Sequence, residues 1–383
     1  MTRKVLHVAM NGVTGRMGYR QHLVRSLLSI REQGGVRLAD GTTVYPEPVL
    51  VGRSEARLRE IAERHGLQRW STSLDQVLAD PEVEVYFDAQ VTSAREASLS
   101  QAIAAGKHVY AEKPVAETLD GAVRLARAAR EAGRTNAVVQ DKLFLPGVIK
   151  LRRLIRAGFF GRVLSARLEF GYWVFEGDEI PAQRPSWNYR AGDGGGIVLD
   201  MFPHWQYLLE DLFGPITALY ARRATHVPRR WDESGRPYDV TADDAAYAVL
   251  EFADGMIASV NSSWAVRVNR RELVELHVDG TNGSAVAGLR RCAVQHRVST
   301  PLAVWNPDLP DPVDYLAQWT EVPDNAAFDN AFMVQWEHFL RAAAEGTPLR
   351  WDLAEGARGV QLAGLALRSS AEGRRVDVPA LAV

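Results

Sequence analysis

A chain of 383 residues is longer than one ordinary core requires and predicts two domains. Its 46% hydrophobic and 24% charged residues are those of a globular protein, and a formal net charge of -2 leaves no electrostatic footprint for nucleic acid or an anionic membrane. The single cysteine, Cys292, excludes an internal disulfide and a multi-cysteine zinc site, and no stretch approaches the ~20 apolar residues of a membrane span. The short apolar run before Asn11 reads as a first strand rather than a signal-peptide core, so a cytoplasmic protein is expected.

Val5–Met10 is that strand. Gly12-Val13-Thr14-Gly15-Arg16-Met17-Gly18 follows at once, and then a helix with Leu23, Leu27, Leu28 and Ile30 on one side. Strand, glycine turn and helix are the context of a dinucleotide fingerprint, in which backbone N–H groups approach a pyrophosphate at a helix N-terminus. The spacing is Gly-x-x-Gly-x-x-Gly rather than Gly-x-Gly-x-x-Gly, so the turn alone also fits a merely tight βα connection. Residues 33–48 form a polar excursion with a small hairpin around Asp40-Gly41. Val49-Leu50-Val51 ends in Gly52-Arg53-Ser54, where an NAD enzyme carries a carboxylate for the ribose 2′-hydroxyl. An arginine with a hydroxyl suits a 2′-phosphate instead. Ser54 also reads as the N-cap of a helix to His65, and Asp40 is the carboxylate that could compete if it folded back over the ribose.

Val83–Ala89 is the next strand and ends in Gln90-Val91-Thr92-Ser93. Ser93 and Glu96 have the spacing of a capping box opening an alanine-rich helix. Gly106 closes that helix, Val109-Tyr110-Ala111 reads as a buried parallel strand, and Glu112-Lys113-Pro114 arrives where it stops. Lys113 thus stands at the carboxyl end of a parallel strand, the edge where open α/β sheets bind ligands, although a solvated strand-end lysine fits equally well. Thr118 caps a helix to Ala132. Ala137–Gln140 is a further strand, ending in Asp141-Lys142, and Leu143–Pro146 begins the crossing into a second domain.

In the second half Leu151–Ala157 is helical. Long β-rich runs at Val163–Tyr172, Ile216–Thr225, Ala245–Phe252, Met256–Val266 and Leu273–Val278 follow without alternating helices, which predicts an open antiparallel sheet. Apolar residues on both alternating faces of the runs from Ala245 predict that the sheet also mediates self-association. Helices over about 328–345 and 353–371 close the chain. Between the runs lies Gly194-Gly-Gly-Ile-Val-Leu-Asp200-Met-Phe-Pro-His204. Asp200 and His204 share one helical face, and a carboxylate beside an imidazole suits proton transfer from an alcohol. The same spacing fits Asp200 as an N-cap and His204 as a core histidine.

Gly-Lys-His-Val followed by Glu-Lys-Pro resembles the Gfo/Idh/MocA family of NAD(P)-dependent oxidoreductases, and the resemblance extends over nearly the whole chain. It implies a doubly wound Rossmann α/β domain, residues 1–143, followed by an α+β domain with an open, mainly antiparallel sheet, residues 144–383. It implies that Lys113, Asp200 and His204 form the hydride-transfer site: Lys113 on the reacting oxygen, His204 exchanging its proton, Asp200 orienting the ring. The expected cofactor residues are Gly12, Thr14, Gly15, Arg16, Met17, Arg53, Ser54, Gln90, Glu112 and Lys113, and the cofactor is NADP, with NAD possible. The expected substrate residues are Lys113, Lys142, Tyr172, Trp187, Arg190, Asp200 and His204. Trp187-Asn188-Tyr189-Arg190 resembles a segment at the pocket mouth, and Trp187 either stacks on a sugar or packs beneath the glycine run. The chain departs from the family at Gln90-Val91-Thr92 and Arg95, at Phe202 and at Tyr207, where a second aspartate is frequent. The implied activity is hydride transfer at a CH–OH or carbonyl carbon of a sugar or polyol, by a homodimer or homotetramer without a metal. A glycosidase that oxidises and re-reduces one carbon, and a dinucleotide-sensing regulator, are the alternatives on the same fold.

Overall fold

The computed structural model describes residues 2–171, 185–266, 272–300, 308, 314 and 316–383. The chain forms two compact units. One contains Met1–Phe144, Asp329–Gln361 and Leu381–Val383; the other contains Leu145–Phe328 and Leu362–Ala380.

The first unit is built on a parallel sheet running Trp70–Ser71, Thr43–Val51, Arg3–Asn11, Val83–Asp88, His108–Ala111, Asn136–Val138. In chain order this is the doubly wound Rossmann arrangement, with the order reversing beside Arg3–Asn11. Val36–Arg37 adds a short antiparallel hairpin partner at the start of Thr43–Val51. Both faces are covered, as the near-continuous apolar strands require. Leu6, Val8 and Met10 point to one side, onto Leu23, Leu27 and Ile30 of the first helix and onto Met333, Trp336 and Phe339. Ala9, Val49, Val51 and Tyr86 point to the other, onto Leu99, Ile103 and Leu125 and onto Leu353 and Ala357. The chain first leaves this unit after Phe144, but the helix Ala331–Glu345 returns to it, whereas the sequence reading kept everything after residue 143 in the second domain.

The second unit contains a nine-stranded sheet in the order Thr320–Glu321, Cys292–His296, Gly283–Ala287, Val274–Gly280, Val163–Gly171, Ile257–Ser263, Ala245–Phe252, Ile216–Ala224, Val376–Asp377. Every pairing is antiparallel except Val163–Gly171 with Ile257–Ser263. Ala246, Ala248, Leu250, Ala258 and Val260 face a buried side. The other side is mixed rather than uniformly apolar: Tyr247, Val249 and Ile257 alternate with Ser259, Asn261 and Glu251. Pro146 opens the helix Pro146–Arg156 instead of lying in a crossing loop, as its fixed φ and missing N–H favour at a first helical turn. No helix among the described residues is long and apolar enough to cross a membrane.

Candidate active site

The glycine turn lies at the carboxyl edge of the first sheet, where the strand order reverses. Val13, fully buried, anchors it, and the Gly15 N–H donates to the Gly12 carbonyl at 3.0 Å. Gly12 has φ 83°, and a Cβ there would lie 2.6 Å from the Ala89 carbonyl carbon. A Cβ on Gly18 would meet the Gly12 carbonyl oxygen at 2.5 Å. Both glycines are therefore required by close backbone approach, one between strand ends and one between helix and turn. Gly15 and Arg16 are exposed, and Thr14 and Met17 are half-buried. The result is a backbone cradle at a helix start, a shape that fits a pyrophosphate. The helix itself winds with i→i+5 bonds over Met17–Leu28, an uncommon form found mostly at functional sites.

Gly52 sits beside the turn, its absent Cβ 3.6 Å from the Thr14 methyl. Arg53 and Ser54 follow and are exposed. Ser54 has extended backbone at the start of Glu55–His65, but its side chain makes no capping bond, so its hydroxyl is not spent on the helix. Asp40 accepts from the Thr42 N–H at 2.8 Å in the hairpin at the opposite end of Thr43–Val51, which removes it as a carboxylate near Arg53.

Beside the turn, at the ends of the neighbouring strands, lies a buried polar network. Asp88 is fully buried and accepts from Arg95 Nε at 3.0 Å, from the Gln90 N–H at 3.0 Å and from Tyr86 Oη at 2.7 Å. Asn11 Nδ2 donates to Tyr86 Oη at 2.9 Å, and burial followed by the Asp88 charge holds that phenol well above its ordinary pKa. Arg95 also donates to the Gln90 carbonyl at 2.6 Å and to the Pro114 carbonyl. Gln90, half-buried, accepts from Ser98 Oγ at 2.8 Å. Arg95 thus stitches the Gln90 loop to the segment carrying Lys113. The Ser93–Glu96 capping box does not form: the helix runs Thr92–Ala104 from Val91, without a side-chain cap, and Glu96 pairs with Arg124 at 2.7 Å.

Lys113 is half-buried and its peptide bond to Pro114 is cis. Its backbone N–H donates to Glu112 Oε2 at 3.1 Å, and Glu112 Oε1 pairs with His22 Nε2 at 2.9 Å. Burial works to raise the Glu112 pKa, but the hydrogen bond and electrostatic attraction of His22, followed by the Lys113 and Arg95 charges, outweigh it and hold the carboxyl below its ordinary value. Sequence reasoning overlooked His22. A 3.6-residue period drawn through Leu23 and Leu27 sets it off the buried stripe, whereas the wider winding buries Gly18, His22, Leu23, Ser26 and Leu27 together. Lys142 is half-buried, with Nζ 3.5 Å from Asp141 Oδ2.

In the second unit the helix Ile197–Phe213 begins after Gly196, whose φ is 125°. The cap is Asp243, which accepts from the Val198 N–H at 2.9 Å through its side chain and from the Ile197 N–H through its carbonyl. Asp200 lies inside the helix, its N–H donating to the Gly196 carbonyl at 3.1 Å, so an N-cap role does not account for it. Asp200 is half-buried and His204 buried, one turn apart. His204 Nδ1 pairs with Tyr207 Oη at 2.7 Å, so Tyr207 shares in fixing the ring, a role that the sequence reading gave to Asp200 alone. Trp187 is 46% exposed, while its carbonyl oxygen lies against the glycine run, 2.4 Å from where a Cβ on Gly195 would stand. Its neighbours Asn188 and Tyr189 are buried, with Arg230 4.1 Å over the Tyr189 ring and the Arg230–Asp244 pair fully buried behind it. Arg190 lies 4.8 Å over Tyr238. Tyr172 is outside the described residues. No group of three or more metal-ligating side chains occurs among the described residues.

Residues 6–140 match the oxidoreductase family with an NAD-binding Rossmann fold, and residues 148–286 match the GFO/IDH/MocA C-terminal domain. A D-xylose dehydrogenase of Paenarthrobacter nicotinovorans is 58% identical over 379 residues, covering 98% of each chain. A levoglucosan dehydrogenase of Pseudarthrobacter phenanthrenivorans is 24% identical, over 84% of this chain and 86% of its own. A solved levoglucosan dehydrogenase in complex with NADH and levoglucosan superposes with a TM-score of 0.81 at 21% identity, covering 98% of this chain and all of that one, a likeness of fold. With both family domains matched in order and a length-wide relative at this identity, the chain belongs to the Gfo/Idh/MocA family and is an NAD(P)-dependent oxidoreductase.

Proposed function

We propose that the protein is a sugar dehydrogenase that oxidises a carbinol carbon of an aldose, with D-xylose or a similar pentose as substrate and NADP as preferred cofactor. The observation that carries the substrate class is the likeness to the D-xylose dehydrogenase, which runs the length of both chains. The side-chain-free turn at Gly12, Gly15 and Gly18 fits a dinucleotide pyrophosphate, with Thr14, Arg16 and Met17 along it and Gln90 and Glu112 at the neighbouring strand ends. When bound, the nicotinamide supplies the hydride acceptor.

The chain's own residues bind, orient and move the proton. Lys113 donates a hydrogen bond to the reacting oxygen. His204 takes the hydroxyl proton; to act as that base it keeps its own proton on Nδ1, donated to Tyr207 Oη, which leaves Nε2 as acceptor. Asp200, on the same helical face, favours the imidazolium that forms. The exposed Trp187 offers an aromatic face to the sugar, with Lys142 and Arg190 as polar contacts. We further propose that copies of the chain associate through the outer face of the second unit's sheet.

The test is steady-state kinetics on D-xylose and related aldoses. Lys113→Met should abolish turnover yet spare most cofactor affinity. His204→Ala should lose ~100- to 10,000-fold in kcat. Tyr207→Phe and Asp200→Asn should lose less and shift the pH profile. Full activity in His204→Ala together with an unchanged profile in Asp200→Asn would overturn the proton-transfer assignment. Sugar cleaved with no net cofactor reduction would identify a transient-redox glycosidase instead.

A further inference from the structure

We propose that His22 is a positioning residue for Lys113: locked as one neutral tautomer by Trp336, it holds the Glu112 carboxylate against the backbone N–H of Lys113. The proposal rests on the role assigned to Lys113. Its starting point is the direction of a single hydrogen bond. Trp336 Nε1 lies 3.0 Å from His22 Nδ1, and an indole nitrogen only donates. Nδ1 must therefore present its lone pair, and the ring proton sits on Nε2, which donates to Glu112 Oε1 at 2.9 Å. A proton added at Nδ1 would face the indole N–H, so the geometry favours a single ring proton, on Nε2.

Glu112 is left as the anion of the group. From its own strand it faces Lys113, and from the helix Thr92–Ala104 it faces Arg95; Tyr110 and Asp141 lie close enough for Glu112 and Asp141 to raise the buried Tyr110 phenol, after burial itself. His22 is fully enclosed, with its ring centroid 4.3 Å from that of Phe87 and 5.2 Å from that of Phe332, so it cannot turn away. A side chain on the helix Ala331–Glu345 thus sets a proton position that reaches the strand end bearing Lys113 through one imidazole and one carboxylate.

Two measurements test this. In a spectrum of the ring nitrogens of the whole protein at neutral pH, His22 should show a protonated Nε2 and an unprotonated Nδ1. In Trp336→Phe, Nδ1 loses its donor and the signature should change to mixed tautomers or imidazolium. An Nδ1–H tautomer in wild type, or an unchanged signature in Trp336→Phe, would overturn the proposal whatever Lys113 does. In kinetics, His22→Leu removes a donor to Glu112, whose pKa should rise. The hold of Glu112 on the Lys113 backbone should then loosen, and kcat should fall ~10- to 100-fold with KM little changed. His22→Gln, which keeps an N–H for Glu112 and an oxygen for Trp336, should restore most of the lost kcat. A folded His22→Leu with wild-type kcat, or equal losses in the two variants, would refute the positioning role. An active Lys113→Met would instead remove the reading on which it rests while leaving the tautomer result intact.

Discussion

At the residue scale, the two nucleotide-reading positions, Arg53 and Ser54, are both exposed. Arg53 is exposed and Ser54 is not consumed as a cap, so a 2′-phosphate meets both without displacing a structural bond. NADP should bind more tightly than NAD, and Arg53→Ala should weaken NADP alone. Equal binding of the two cofactors, or NADP binding untouched by the substitution, would refute the preference. His108 is a different kind of residue, and its chemistry bears on stability. Its Nδ1 accepts the Thr135 N–H at 3.1 Å, and burial followed by the Arg134 and Lys4 charges lowers its pKa from 6.5 to about 4. The folded state therefore binds this proton less readily than the unfolded chain. The stability contributed by neutral His108 is complete above pH 6.5 and is lost as pH falls toward 4. His108→Asn keeps an acceptor for Thr135 and does not titrate, so its Tm should fall less than wild type between neutral pH and pH 5. Parallel Tm curves would show that His108 carries no such linkage. Cys292, buried with its thiol pushed up to about 11, should stay unmodified by thiol reagents at pH 8 until the protein unfolds.

At the element scale, much of the fold was legible in the chain because local signals agreed with tertiary structure. Gly66 and Gly133 end their helices in the left-handed conformation, Thr118 caps its helix through the Gly121 N–H, and the strand–turn–helix at Gly12–Gly18 lies at the sheet's carboxyl edge. What escaped was set by partners distant in sequence. Asp243 caps the helix bearing Asp200 from 45 residues away. Glu96 pairs with Arg124, 28 residues on, rather than closing the local capping box. For the candidate site, residue types and spacing left Lys113, Asp200 and His204 open between catalytic and structural readings, and the family resemblance gave them their expected roles; neither could find Tyr207 or His22, since nothing local marks a hydroxyl or an imidazole as a partner. The helix Ala331–Glu345 is the clearest case: its apolar stripe is visible in the sequence, but not the sheet that it covers. Trp336 and Phe339 are fully buried there, and Phe339 stacks on Tyr110 at 4.9 Å. Phe339→Ala should cost ~3–5 kcal/mol in denaturant unfolding of the Rossmann unit. A cost below ~1 kcal/mol would mean that this helix docks loosely and is not part of that core.

At the scale of the whole molecule, the second unit's sheet has one face buried within the chain and one that is not. On the outer face Tyr220, Tyr247, Val249 and Ile257 are 39% to 50% exposed. The register gathers them: Tyr220 lies opposite Val249, and Ile257 lies beside Glu251 on the strand that carries Val249 and Tyr247. Charges of both signs surround them, including Glu251 paired with Arg375 at 2.7 Å, and Arg222 opposite Tyr247. A patch with an apolar centre and a rim of mixed sign is suited to meet its own copy across a two-fold axis, where each residue contacts the partner's equivalent set. Its occupant is therefore expected to be a second copy of this chain. Sedimentation at micromolar concentration should give a dimer or tetramer. Val249→Lys with Ile257→Lys places like charges across such an axis and should yield a folded monomer with unchanged secondary structure. A monomeric wild type would refute the association itself. An oligomer that survives the double substitution would refute its assignment to this face.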